Sequence, residues 1–306
     1  VSRRFTPRSV ESWIPHISGA VENLLDTALS QERPVDIVGE LAAPLPAMMI
    51  GHLLGFPDEL WPSLHRWSEQ TIALGGGPRY QNDEGTTALF EFVEACINLY
   101  SEKRENPTDD IMSAWIEAES TGLKNDSDFG LDQIISDCLL LLDGGAETTR
   151  TVIARSMLNL SEDKEQWNLL KTGIDLDVAV EEFIRFVTPI HNMCRVATAD
   201  YSIGGETIRK GQQVLLMYSS ANRDPSKFHN PEELDLTRSP NHHISFGFGT
   251  HFCLGAALAR LEIKIFFEQL RQRVKEFSIA SEPIEMPNSF VYGLASCPMF
   301  LESENT

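Results

Sequence analysis

One loop constrains this chain more than any other stretch. Phe246-Gly247-Phe248-Gly249-Thr250-His251-Phe252-Cys253-Leu254-Gly255 places a cysteine at the end of a glycine-punctuated segment, just before an apolar-periodic helix. Glycine has no Cβ, so backbone at these positions can come close to a bulky partner. The helix behind the sulfur aims its positive end and free N–H groups at any negative charge there. Such a setting lowers the pKa of a thiol and suits a thiolate that binds a metal. A cysteine at a helix start is equally compatible with a small buried apolar residue, so the rest of the chain has to decide.

The remaining pattern is mostly helical, and the fold class expected is mainly α with a small β region. Apolar residues recur at helical spacing over 9–29, with Pro15 expected to bend or interrupt that helix. Further helices are expected over 47–55, 58–74, 86–105 and 109–121, with a loop over 75–85 opened by three consecutive glycines. The longest candidate, 131–160, carries Gly144-Gly145 in its middle; helices over 161–171 and 177–188 follow, and Pro189 ends the second. Alternation about Gly204-Gly205 over 195–209 reads as a hairpin, and 214–218 as a strand. The Pro- and Asp-rich stretch 224–243 reads as an irregular packed loop, 254–277 as a helix and 290–301 as a terminal hairpin.

At 306 residues the chain can bury a large core as one domain. Its formal charge of −20 argues against nucleic acid as a partner. No apolar run reaches the roughly 20 residues needed to span a membrane. The five cysteines are widely separated and odd in number, with no zinc-type spacing, which fits a reducing cytoplasm. Cations cluster at Arg3, Arg4 and Arg8, and again at Arg260, Lys264, Arg271, Arg273 and Lys275 after the cysteine loop. The second group reads as a solvated helix face or as a docking surface for an acidic protein.

Three further constellations carry chemistry. Two glycines inside a helix cost on the order of 1 kcal/mol each; beside Glu147 and Thr148 they suggest a local opening in which an acid and an alcohol can relay protons. Glu182 and Arg185, three apart, share a helix face. Arg195 opens a strand and offers a planar bidentate donor suited to a carboxylate.

Taken together, these residues resemble the cytochrome P450 family. Phe246, Gly247, Gly249, His251, Cys253 and Gly255 are similar to its haem-binding loop, Gly144–Thr149 to its acid–alcohol helix and Glu182–Arg185 to its ExxR pair. The resemblance implies haem b (iron protoporphyrin IX), with Cys253 as the proximal iron ligand, Phe246 packed beneath the haem, and Arg195 and His251 on its propionates. It implies Glu147 and Thr148 for proton delivery, and a buried structural role for Glu182 and Arg185 in tethering the loop near Asn222–Pro225. Substrate would be lined by Leu140, Asp143, Gly144, Ile190, His191, Asn192, Phe290 and Val291. The resemblance also implies a ferredoxin-type electron donor and a lipophilic substrate. Asn192–Val196 and Ser289–Leu294 are similar to actinobacterial members that oxidise the cholesterol side chain.

The resemblance covers 1–306 and starts near the end of the family's third helix. The expectation is therefore a P450 fold lacking its N-terminal helices and strands. Two alternatives to an oxygen-activating monooxygenase are an inactive truncated fragment and a peroxide-driven hydroxylase. Glu147-Thr148 speaks against the second, for which a proton relay to oxygen is superfluous.

Overall fold

Helix boundaries in this chain follow proline, glycine and short polar caps. In a computed structural model, which describes residues 2–121 and 130–304, α1 (Pro7–Val10) is capped by Thr6, and α2 (Ile14–Leu29) carries Pro15 in its first turn. The helix expected over 9–29 is interrupted as Pro15 predicted, with a 3-10 turn at Glu11–Trp13, and Pro15 opens the second piece because a first-turn residue has no intrahelical use for its N–H. α3 (Pro44–Leu54) ends on Gly55, whose φ of 91° closes the helix in the left-handed region. α4 (Trp61–Gly75), α5 (Asp83–Glu105) and α6 (Ile111–Thr121) follow. α7 (Leu131–Leu142) and α8 (Thr148–Glu162) are joined by a π-helical segment, Asp143–Glu147. α9 (Lys164–Lys171), α10 (Leu176–Val187), the single turn α11 (Tyr218–Ala221) and α12 (Ala256–Arg273) complete the helices.

The strands are short: β1 (Val35–Asp36), β2 (Asn192–Val196), β3 (Tyr201–Ile203), β4 (Glu206–Ile208), β5 (Gln213–Met217), β6 (Val274–Ile279), β7 (Ile284–Glu285), β8 (Leu294–Ser296) and β9 (Pro298–Ser303). They pair antiparallel as β1-β9-β6, β2-β5, β3-β4 and β7-β8. Two expectations change. Residues 274–277 leave the helix because Val274 and Phe277 pair with β9 as a strand. Residues 290–301 are not a hairpin, since β8 pairs back to β7 and β9 crosses to β1 and β6. Strand partners lie outside the local sequence, where periodicity carries no information.

α8 sits at the centre. Every residue from Thr149 to Met157 is buried, and the helix touches α3, α9, α10, α12, β6 and β8. A helix buried all round belongs to the middle of a large core. α12 lies between α8, α10 and α2, whose stripe of Ile17, Val21 and Leu25 is fully buried. Among the described residues no helix is long and apolar enough to cross a membrane.

The irregular loop over 224–243 is held by a buried ion-pair cluster centred on Glu182. Arg185 Nε and Nη2 donate to the two Glu182 carboxylate oxygens, each at 2.8 Å, with both side chains fully buried. The remaining guanidinium hydrogens go to the carbonyls of Asn222, Pro231 and Glu233. Glu182 in turn accepts from the Asp235 amide, Arg238 Nε and Asn241 Nδ2. This is the expected tether, with more partners than expected. Removing the carboxylate strands two buried guanidinium groups, so Glu182→Ala should cost about 3–5 kcal/mol in a urea unfolding curve. A loss below about 1 kcal/mol, the range of an exposed pair, would refute the tether.

Candidate functional site

The cysteine loop is shaped by its own backbone. Gly247 N–H donates to the Ile244 carbonyl at 2.8 Å, and Cys253 N–H donates to the Phe246 carbonyl at 2.8 Å. Gly247 and Gly249 take φ of 73° and 70°, where a side chain would be strained. Gly255 caps α12 and sets its N–H on the Cys253 sulfur. Arg260, one turn into α12, lies with its guanidinium 4.4 Å from the centre of the Phe246 ring.

The expected lowering of the thiol pKa is overturned. Burial pushes the Cys253 thiol up, and the Gly255 amide and Arg260 charge only partly oppose it. A helix terminus stabilises a thiolate less than burial destabilises it here. Holding this sulfur as a thiolate therefore takes a further positive charge, which a coordinated metal supplies. Among the described residues no group of three His, Cys, Asp or Glu side chains could hold a metal. The haem that the resemblance implies would bring its own ligands to an iron held at Cys253.

The surroundings fit such a group. A Cβ built at Gly144, Gly249 or Gly255 would meet nothing within 4 Å, so there is open space beside the sulfur and beside the π segment. Phe248, Phe252 and Leu254 are exposed around the cysteine, and Leu140 is exposed on α7. Phe246 is half-buried against the core. Arg195 pairs across to Val214 and spends one N–H on the Cys194 carbonyl. Among the described residues neither Arg195 nor His251 has a carboxylate partner, so both stay available to an acidic ligand.

The helix opening is a π segment, as the paired glycines suggested. Gly145 is required there, because a Cβ would collide with the Ile50 side chain of α3. Thr148 Oγ1 donates to the Gly144 carbonyl at 2.8 Å, a bond back down the helix. The acid and the alcohol are not hydrogen-bonded to each other. Glu147 is buried and holds Arg150 through both oxygens at 3.0 and 3.2 Å. Arg150 continues to Glu69 on α4 at 3.2 Å and to the Leu294 carbonyl at 2.9 Å. Burial raises the Glu147 pKa and Arg150 opposes it. Arg150 was missed, although its spacing of three from Glu147 was legible. Glu69 and Thr71, whose hydroxyl lies 2.8 Å from Asp143 Oδ1, come from a distant helix and left no local signal.

The expected substrate residues divide into two groups. Ile190 bridges Val291, His191 N–H donates to the Phe290 carbonyl, and Asn192 Nδ2 donates to the Ser289 carbonyl. These segments thus form one wall, with Val291 buried and Phe290 half-buried. Leu140, Asp143 and Gly144 come from α7 and the π segment, Asp143 facing α4. The cations of α12 do not form a free patch. Arg260 is paired with Glu181, Lys264 with Asp177, Arg273 with Asp26, and Arg271 caps the Leu170 and Ile174 carbonyls. Burial works against the Glu181 carboxylate, but His243 and Arg260 outweigh it and hold its pKa down at about 2.

Comparison with known proteins gives the family. Residues 176–295 match the family model described as Cytochrome P450. A steroid C26-monooxygenase of Mycobacterium tuberculosis (strain CDC 1551 / Oshkosh) is 34% identical over 308 residues, covering 98% of this chain and 81% of that protein. The chain belongs to the cytochrome P450 family. Solved P450 structures agree. P450BioI in complex with acyl carrier protein ligated to hexadec-9Z-enoic acid has a TM-score of 0.88 at 34% identity, over 98% of this chain and 77% of that one. CYP109E1 from Bacillus megaterium in complex with testosterone also has a TM-score of 0.88, at 32% identity over 98% and 78%. As a P450 the protein is a monooxygenase, and its cofactor is a haem.

The P450 helix opening depends on the space at Gly145. Gly145→Ala forces Ile50 out of place and should cost about 1–3 kcal/mol by thermal unfolding. Pairing it with Ile50→Ala should recover part of that loss, and strict additivity of the two changes would refute the contact.

Proposed function

We propose that this P450 holds haem b on Cys253 and inserts one atom of O2 into an unactivated C–H bond of a lipophilic substrate, with a steroid side chain as the leading candidate. The observation that carries the reading is the Cys253 sulfur set between glycines with open space beside them. Thiolate-ligated haem, when bound, supplies the electron density that favours O–O cleavage. The protein's share is ligand, orientation and electrostatics.

Cys253 supplies the ligand, and the Gly255 N–H tempers the negative charge of its sulfur. Phe246 would pack against the macrocycle. Arg195 and His251 take the propionates, a role suited to donors left without carboxylate partners. Gly144 and Gly145 leave the room in which Thr148 and Glu147 handle protons. Leu140, Asp143, Ile190, His191, Asn192, Phe290 and Val291 shape the substrate space. Glu182 and Arg185 serve the fold. A ferredoxin-type protein supplies electrons, and the free cysteines suit a reducing, cytoplasmic setting. The steroid assignment rests on similarity to the C26-monooxygenase and to the testosterone-bound P450. Similarity to P450BioI supports a fatty acyl chain as the second reading.

Two measurements test this. The haem-loaded protein, reduced under carbon monoxide, should show the red-shifted Soret band of a thiolate-ligated haem, and Cys253→Ser should lose it. Retention of the band would remove Cys253 from the role. Titration with testosterone and with hexadec-9-enoic acid should shift the spectrum at least tenfold more tightly for the steroid; the reverse order would favour the acyl reading.

A further inference from the structure

Two carboxyl groups stand on the π segment, and they are held in opposite ways. Glu147 has both oxygens committed to Arg150. A proton on Glu147 would compete with two charge-assisted hydrogen bonds. Asp143 has no ion pair among the described residues. Its one side-chain partner is the Thr71 hydroxyl, 2.8 Å from Oδ1.

That hydroxyl has a single hydrogen and three acceptors, of which the Ser68 carbonyl at 3.4 Å is the most distant. Besides Asp143, the Trp67 carbonyl of its own helix lies 2.7 Å from Thr71 Oγ1. An ionised Asp143 and the carbonyl compete for that hydrogen. A protonated Asp143 resolves the conflict by donating to Thr71 Oγ1, which then donates to the Trp67 carbonyl. The geometry therefore accommodates the neutral acid better than the carboxylate.

The electrostatic surroundings agree. From α4, Thr71, Ser68, Glu69 and His65 lie on the side toward the segment, and Glu69 is tied to Arg150. The only cation near the segment from α8 is Arg150, already shared by Glu147 and Glu69. From α3 comes the apolar Ile50; its His52 packs instead on Trp13 and His16. On α7 the acids Asp132 and Asp137 stand more than one turn away. Burial lifts the Asp143 pKa to about 7, with Thr71 opposing and Glu147 adding to the rise.

We propose that Asp143 is a positioning residue of the proton path, a carboxyl that stores beside the helix opening the proton that Thr148 and Glu147 handle. A π turn bonds residue i to i+5 rather than i+4, so Thr148 stands one wide turn beyond Asp143. The proton leaves the Asp143 carboxyl for the hydroxyl side at Thr148 through intervening water, and solvent returns one to the carboxylate. The proposal rests on the monooxygenase reading only for the destination of the proton.

Storage is tested without turnover. Infrared titration of the haem-loaded protein, with no substrate present, should show a protonated carboxyl stretch that disappears as pH rises through about 7. Asp143→Asn should abolish that transition and Glu147→Gln should retain it, as should Glu262→Gln, which removes the buried acid that burial lifts to about 8. No transition near neutrality, or its loss in Glu147→Gln alone, would overturn the proposal. A stability series gives a second readout. The unfolded chain releases this proton near the ordinary aspartate value and the folded chain near 7, so stability should fall as pH rises across that window. Asn at position 143 should flatten the slope; an unchanged slope counts against storage. Finally, in turnover with a spectrally confirmed ligand, Asp143→Asn should raise hydrogen peroxide released per product several-fold below about pH 7, where the wild-type carboxyl holds its proton, and converge on the wild type above it. If storage is seen but peroxide release is unchanged, Asp143 titrates without feeding the path.

Discussion

The arrangement of the cysteine loop and the irregular segment before it depends on Arg185 and Glu182. Two opposite charges fully out of water are unfavourable unless every donor and acceptor is used. Here the guanidinium reaches three carbonyls of a segment with no regular structure, and the carboxylate collects an amide, a second arginine and an asparagine. The pair gives the loop over 224–243 a substitute for the backbone pairing that helices and strands provide. Asn222 extends the order. Its carbonyl accepts from Arg185, its amide group donates to Thr188 and Ser245, and its Oδ1 accepts from the Ile244 amide. Ile244 is where the turn into the cysteine loop begins. The position of the Cys253 sulfur is thus linked to a charge pair on a different helix.

A second buried network holds the π segment. Glu147, Arg150 and Glu69 connect the π segment and α8 to α4, and Arg150 also reaches β8 through the Leu294 carbonyl. The two networks use arginine in the same way: a rigid fork with five donors can satisfy carboxylates and carbonyls together, which lysine cannot. They differ in completeness. The Arg185 pair is saturated, whereas the π segment keeps a carboxyl outside the ion pair at Asp143 and open space at Gly144. Rigid support on one side and a local defect in the helix on the other match the needs of a site that must hold a ligand and admit small molecules.

The charge distribution follows the same logic. The cations of α12 stand out in sequence as a possible docking face, yet α10, α2 and the α9–α10 connection supply a partner to each of Arg260, Lys264, Arg271 and Arg273. Arg195 and His251 are less conspicuous in sequence and remain without such partners. Availability for a ligand is decided by what packs alongside a residue, not by its charge.

The helices, the cysteine loop, the paired glycines and the Glu182–Arg185 spacing were legible in the sequence because each depends on residues within one or two turns. Gly144-Gly145 announced the helix opening, since two glycines mid-helix are costly without a reason. The strand partners of 274–277 and 290–301 were not legible, because a strand records which faces it buries and not which strand it meets. The sign of the Cys253 pKa shift was not legible either: the helix terminus is local, while the burial that outweighs it is contributed by the whole fold. The roles of Glu69 and Thr71 depend on α4 packing across the π segment, far away in sequence. Sequence alone thus determined which side chains with haem, proton and ion-pair chemistry the chain carries. Tertiary structure decided which of them are locked and which stay free, because locking is a matter of partners brought together by packing.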